Sequence, residues 1–217
     1  MWNNAPLVFI VSSPSGAGKT TLTGQLMARV PNLVFSVSHT TRRPRATEQD
    51  GREYHFVSHD QFSSLIESGK FLEWAEVHGN LYGTSVSEID VASSAHARGV
   101  IFDVDHQGAR QIKSHIPDAV SVFILPPSMG ELHARLSGRA SDDTATVARR
   151  FSAALTEIEH YGMFDYLLLN DQLELSCQKL ISIFLAEECR RCRCAGLAER
   201  LLNDGRGYGG SKPPGSI

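Results

Sequence analysis

The chain has 217 residues, enough for one domain of ordinary size or one domain carrying inserted flaps. Hydrophobic residues make up 41% and charged residues 21%, the balance of a globular protein with a full core. The formal net charge of −3 lacks the basic surplus of a general nucleic-acid binder, and no apolar run approaches the roughly 20 residues of a membrane span. Met1-Trp2-Asn3-Asn4 carries no basic leader region, so neither a nucleic-acid nor a membrane partner is expected and the setting is read as cytoplasmic.

The apolar run Leu7 to Val11 reads as a strand and Thr21 to Arg29 as a helix. Between them lies Ser13-Pro14-Ser15-Gly16-Ala17-Gly18-Lys19-Thr20. Strand, glycine-bearing loop, Lys-Thr and helix is the order of a phosphate cradle, in which backbone N–H groups converge on an anion. Lys19 would reach the terminal phosphates of a nucleotide and the Thr20 hydroxyl would sit on Mg²⁺. Ser13 stands where the strict pattern has its first glycine. An ordinary Gly/Ser turn before a helix is the plain alternative.

Val34 to Ser38 reads as the next strand. His39-Thr40-Thr41-Arg42-Arg43-Pro44-Arg45 then packs three arginines into four positions. Pro44 forbids a helix, and in the extended geometry it favours Arg42 and Arg45 face the same way, as a bidentate phosphate site requires. A solvated basic loop is the alternative. Tyr54 and Tyr82 could each offer a hydroxyl to the same phosphate. Asp60 caps a helix through Glu67, closed by Gly69. Phe71–Val77 and Leu81–Gly83 flank Gly79-Asn80 as a hairpin. Glu73, alternating with Leu72 and Trp74, is placed on the face opposite them. An ionised carboxylate only accepts hydrogen bonds, so at a base edge it favours guanine, with its N1–H and 2-amino donors, over adenine. Taken alone, without its neighbours, Glu73 would read as an exposed strand residue.

Ser87 to Arg98 reads as a helix stopped by Gly99. Val100 to Asp105 is a buried strand whose Asp103 and Asp105 end it where open α/β sheets carry catalytic groups. One could help orient Mg²⁺ through water while the other reaches an acceptor nucleotide, although strand-end aspartates also cap helices. His106 is read as structural. Val120 to Leu125 is a further strand, stopped by Pro126-Pro127. Ser128 caps a helix through Leu136, a polar loop spans 137–146, and Val147 to Glu159 forms a second helix. Arg135, Arg139 and Arg150 bracket that loop, which has the composition of a mobile lid that could close arginines onto a transferring phosphoryl group. Tyr166–Leu169 is the last strand, and a long amphipathic helix starts near Leu173. Residues 205–217, rich in Gly, Pro and Ser, are expected to be a disordered tail. Cys177, Cys189, Cys192 and Cys194 lack the spacing of a zinc site and read as thiols on a terminal helix.

These elements predict an α/β fold: a three-layer arrangement with a central, mostly parallel sheet, an insertion at about 39–97 forming one wall of a cleft, and a lid at about 128–150. The domain is bounded at 5–190, with 191–204 as the end of a C-terminal helix.

The motifs together resemble the guanylate kinases, members of the P-loop nucleoside monophosphate kinases. The resemblance runs from about Leu7 to Glu188. It is carried by Pro14-Ser15-Gly16-Ala17-Gly18-Lys19-Thr20, Ser36-Val37-Ser38-His39-Thr40-Thr41-Arg42, Pro44-Arg45, Gly51 with Tyr54 and Phe56, and Phe71-Leu72-Glu73. Gly79-Asn80-Leu81-Tyr82-Gly83-Thr84, Asp103-Val104-Asp105, Gln107-Gly108, Phe123 to Ser128 and Asn170-Asp171 continue it in order. It implies ATP-dependent phosphorylation of GMP, and of dGMP, by direct in-line transfer with Mg²⁺, in purine nucleotide metabolism. On this resemblance Ser13 to Thr21, Arg135, Arg139 and Asn170 bind ATP, with Asn170 near the adenine. Ser38, Arg42, Arg45, Tyr54 and Tyr82 hold the GMP phosphate, while Glu73, Thr84 and Asp103 read guanine. Lys19, Arg42, Arg135, Arg139 and Arg150 are the catalytic set, and Thr20 and Asp105 are the metal candidates. Ala140, where the family has glycine, is expected to stiffen the lid. The alternatives are a non-catalytic binding module of the same fold, or a kinase acting on a ribose phosphate. The oligomeric state is left open, a homo-oligomer included.

Overall fold

The computed structural model describes residues 5–77, 79–138 and 144–209. Leu7–Ser12 forms β1, buried along its whole length. The chain turns through the glycine loop into α1 (Lys19–Arg29), two residues earlier than the sequence predicts, because Gly18 takes a left-handed φ of 99° and its carbonyl accepts the first helical bond from Leu22 N–H. There follow β2 (Leu33–Phe35), β3 (His39–Thr40), β4 (His55–Phe56) and α2 (His59–Glu67). Ser58 rather than Asp60 caps α2, in a reciprocal capping box with Gln61. The hairpin is β5 (Phe71–Val77) and β6 (Asn80–Ser85), turning at Gly79 with φ 77°.

Helix α3 (Ser87–Ser94) stops short of the expected Arg98, because His96 adopts a left-handed φ of 52° and Arg98 N–H turns to the Asn32 carbonyl. Strand β7 (Gly99–Asp103) likewise ends before Asp105, which leaves the sheet to cap α4 (His106–His115). The remaining elements are β8 (Val120–Leu125), α5 (Met129–Ser137) capped by Ser128, α6 (Thr144–Glu159), β9 (Tyr166–Leu169), α7 (Leu173–Glu188) and α8 (Arg191–Gly209). The single C-terminal helix of the sequence reading is thus two. The break follows Glu188, which Arg98 holds with two hydrogen bonds at 2.9 and 2.6 Å, and the Arg190 carbonyl then starts a new helix by accepting from Arg193 and Cys194. Helix α8 also continues through Gly205 to Gly209, where the sequence reading places the start of a disordered tail.

Five parallel strands form the central sheet in the order β2-β7-β1-β8-β9. Each strand of such a sheet needs a crossover, and the intervening helices cover both faces. The alternation of β1 separates two cores. Leu7, Phe9 and Val11 pack with α1 and α7 through Leu22, Leu26, Leu180 and Phe184. Val8 and Ile10 pack with Phe102, Ile112, Phe123 and Phe164 on the other side. A smaller mixed sheet, β4-β3-β6-β5, forms the insertion, and α5 and α6 share a third cluster of Leu132, Leu136, Val147 and Ala154.

Phe184 is buried edge-on against Phe9 with ring centroids 5.4 Å apart, and its ring covers Gly99, where a Cβ would lie 2.8 Å away. Phe184→Ala is expected to cost about 3–5 kcal/mol, measured by urea unfolding, because neither rigid neighbour can close the cavity. A loss below about 1 kcal/mol would show that this core refills.

Candidate active site

The phosphate loop takes its shape from three contacts. Gly16 adopts φ 91°, and its bare Cα seats Leu132 and Leu136 of α5, each 3.1 Å from where a Cβ would be. Gly18 lies so close to Asn170 that a Cβ would fall 2.4 Å from the side-chain amide. Asn170 is buried, donates from Nδ2 to the Ala17 carbonyl at 2.7 Å, and is fixed by its own N–H on Leu125. The sequence reading places Asn170 near the adenine; here its amide braces the loop. Ser13 returns its hydroxyl to the Pro14 carbonyl at 3.0 Å, which satisfies the side chain standing where the strict pattern has glycine.

Lys19 opens α1 and reaches across to an ion pair with Asp103, also donating to the Val104 carbonyl at 3.2 Å. Burial pulls the ammonium down, but Asp103 more than offsets it, so its pKa ends above the usual value and the charge is retained. The pairing follows from the sheet: Val11 and Asp103 are register partners in β1 and β7, so loop and aspartate leave the same edge together. Asp105 accepts from Gln107 N–H and Gly108 N–H, each at 2.9 Å, on one carboxylate oxygen; the other takes only a 3.3 Å contact from the Gln107 amide. The helix-cap alternative is therefore realised, with one oxygen remaining toward the cleft.

On the opposite wall, Ser38, Thr84 and Glu73 form a hydrogen-bonded row. The Ser38 and Thr84 hydroxyls lie 2.8 Å apart, and Thr84 donates to Glu73 Oε1 at 2.6 Å. Simple alternation does not place Glu73. A bulge between Phe71 and Glu73 breaks the β5–β6 register, so Leu72 and Glu73 are both buried, Glu73 only 5% exposed, while Trp74 is 40% exposed. Burial pushes the Glu73 carboxyl up to about 7, against the pull of the Thr84 hydrogen bond.

Tyr54 and Tyr82 meet edge-on at 5.9 Å, and the Arg42 guanidinium lies 5.4 Å over the Tyr54 ring. Arg42 is held there by Glu48 at 2.9 Å, one layer behind the cleft wall. Arg45, 76% exposed, lines the cleft. Glu48 also meets Arg45, accepting from its backbone N–H at 2.7 Å, with the Arg45 guanidinium 3.9 Å away. That hydrogen-bonding holds Glu48 below its ordinary value, Arg42 first.

Both walls face one cleft of about 1030 Å³, lined by Ser13 to Gly16, Gly18 to Thr21, Ser38, Arg45, Tyr54, Tyr82, Asp103, Asp105, Arg135, Arg150 and Asn170. Glu73 lines a recess of about 160 Å³ shared with Lys19, Ser38, Tyr54, Tyr82 and Asp103. Arg135 donates to Glu131 at 3.0 Å, one turn back on α5. Arg139 and Ala140 lie outside the described residues. Among the cleft residues that escape the sequence reading are Arg52, Glu53 and Glu157. Glu157 accepts from Ser15 N–H at 3.2 Å while Arg150, two turns earlier on α6, donates to the Ser15 hydroxyl at 2.8 Å. That seven-residue spacing was the available signal.

The guanylate kinase family model matches residues 6–187. The chain belongs to the guanylate kinase family. It is 46% identical over 199 residues to a guanylate kinase of Dechloromonas aromatica, covering 90% of this chain and 98% of that protein. A guanylate kinase of Myxococcus xanthus is 48% identical over 188 residues, covering 86% and 90%. The crystal structure of guanylate kinase from Anaplasma phagocytophilum superposes with a TM-score of 0.74 at 31% identity, covering 91% of this chain and 94% of that one. ATP-dependent phosphorylation of GMP is this family's reaction, and the three-layer P-loop kinase fold is the one observed.

The buried Glu73 carboxyl has a definite cost when it ionises. Its folded pKa lies above the ordinary 4.5, so the native state binds the extra proton and stability declines as pH rises from about 4.5 to 7. Glu73→Gln is therefore expected to raise unfolding free energy at pH 8 by about 2–3 kcal/mol, and to leave it nearly unchanged at pH 4.5. Urea denaturation at the two pH values checks this; equal effects at both would show that ionisation is not the cause.

Proposed function

We propose that the cleft carries the terminal phosphoryl group of ATP directly to the phosphate of GMP, or dGMP, with the two nucleotides bound on facing walls. The observation that carries this reading is the Ser38–Thr84–Glu73 row set across one cleft from Lys19 and the phosphate loop. A buried carboxylate fed by hydroxyl donors is an acceptor array for the N1–H and 2-amino edge of guanine, and it leaves adenine's N1 acceptor unpaired. Thr84 and Asp103 share that recognition, and Ser38, Arg45, Tyr54 and Tyr82 bind the GMP phosphate, with Arg42 supporting Tyr54 from behind.

The ATP phosphates occupy the N–H groups of the loop from Ser13 to Thr21, with Lys19 turning from Asp103 to their terminal oxygens. Asn170 keeps the loop in its anion-binding shape. Arg135, Arg139 and Arg150 neutralise charge on the group in transit. Thr20 and Asp105, whose second oxygen takes only a 3.3 Å bond from the Gln107 amide, are hard oxygen donors on the same cleft, which suits Mg²⁺; bound there, the cation would offset charge on the phosphate oxygens. The attacking GMP oxygen is already anionic, so no side chain has to remove a proton. Catalysis is then positioning and electrostatics. This reading places the enzyme in purine nucleotide metabolism, supplying GDP, and four free cysteines suit a reducing cytoplasm.

The test is ADP formation from ATP with GMP, AMP, UMP or CMP as acceptor. GMP is expected to be turned over preferentially; equal turnover of AMP would sink the assignment of the recess. Lys19→Met is expected to lower kcat by about 10²- to 10³-fold with the fold intact by circular dichroism. An unchanged kcat would remove Lys19 from the transfer step.

A further inference from the structure

Helix α4 contains a glycine in its first turn, Gly108, that no backbone requirement explains. The glycines at positive φ are 16, 18, 51, 69 and 79, whereas Gly108 is helical. Alanine would favour the helix there. What Gly108 provides is space. A Cβ on it would lie 2.6 Å from Glu73 Oε2, 3.2 Å from Glu73 Cδ and 3.0 Å from Val104 Cβ. The carboxylate that accepts from Thr84 on one oxygen thus rests its other oxygen on a bare Cα.

One turn on, and on the same helix face, Gln111 grips the strand that carries Glu73. Its Oε1 accepts from Trp74 N–H at 3.1 Å, and its Nε2 donates to the Trp74 carbonyl at 2.7 Å. This pair of bonds takes the place of a neighbouring strand on the outer edge of β5, directly after the bulge that turns Glu73 inward. The Asp105 cap in turn fixes Gly108 through its own N–H. The first turn of α4 also brings the positive end of the helix toward a buried anion.

We propose that Gly108 and Gln111 are positioning residues for acceptor recognition: Gln111 fixes the β5 main chain, and Gly108 fixes where the Glu73 carboxylate can lie. The inference rests on the reading of Glu73 as the guanine-contacting group. Adding a methyl group at 108 meets the end of the Glu73 side chain most closely, so the carboxylate is displaced, while Val104 Cβ at 3.0 Å has to give by a few tenths of an ångström. Acceptor recognition then suffers while the donor loop is untouched.

The experiment compares Gly108→Ala, Gln111→Met, Glu73→Gln and the Gly108→Ala/Glu73→Gln double variant in the full chain, with steady-state KM for GMP, IMP and ATP. IMP keeps the N1–H of guanine and lacks the 2-amino group. Gly108→Ala is expected to raise KM for GMP about tenfold, the scale of one mispaired polar group, and to shrink the preference for GMP over IMP. KM for ATP and the thermal midpoint stay near wild type. The double variant loses little beyond Glu73→Gln alone, because both changes remove the same contact. Gln111→Met raises KM for GMP severalfold without adding bulk, so it tests the placement even if the alanine variant folds poorly. Wild-type GMP kinetics in Gly108→Ala and Gln111→Met, alongside a damaged Glu73→Gln, would overturn the inference and leave the guanine reading standing. Parallel losses for GMP and ATP would also overturn it, marking a general structural role. An unaffected Glu73→Gln would overturn the guanine reading and the inference together.

Discussion

The parallel pairing of β1 between β7 and β8 is the constraint on which the site depends. Val11 lies opposite Asp103, Ser12 opposite Phe123, and β8 passes the alignment to β9 through Leu125 and Leu169. Because all five strands run the same way, their carboxyl ends open onto one edge. The phosphate loop, Asp103, Asp105, the Ser128 cap and Asn170 all emerge there, from segments far apart in sequence. The burial of β1 on both faces makes this register hard to slip: any shift of one residue would exchange the Leu7–Phe9–Val11 side with the Val8–Ile10 side.

The cleft holds its charges in a poised state. Lys19 is neutralised by Asp103 and, one layer behind the wall, Arg42 by Glu48, while the Ser15 N–H donates to Glu157. Burial raises the Glu157 carboxyl as it does Glu73, the Ser15 N–H opposing it.

Much of this was legible in the chain. Long apolar runs such as Leu7–Val11 and Val120–Leu125 announce buried strands because both of their faces meet helices, and the loop from Ser13 to Thr20 announces itself by spacing. The hairpin was readable from Gly79-Asn80. Its bulge was not, since a register break is a property of two strands together, and alternation therefore assigned Leu72 and Trp74 to one face. The break between α7 and α8 falls beside Glu188, whose partner Arg98 lies ninety residues away. Asn170 shows the same limit: its bond to the Ala17 carbonyl, which braces the loop, joins residues 153 apart in sequence. Local chemistry reads well from sequence; geometry set by a distant partner does not.

Two successive residues of the phosphate loop carry the lid helices. Leu132 and Leu136 of α5 rest on Gly16, and Arg150 and Glu157 of α6 hold Ser15. In mechanical terms the loop is a keystone, tied to the sheet on one side and wedged by two helices on the other. The shape of the loop and the seating of both helices therefore share one support.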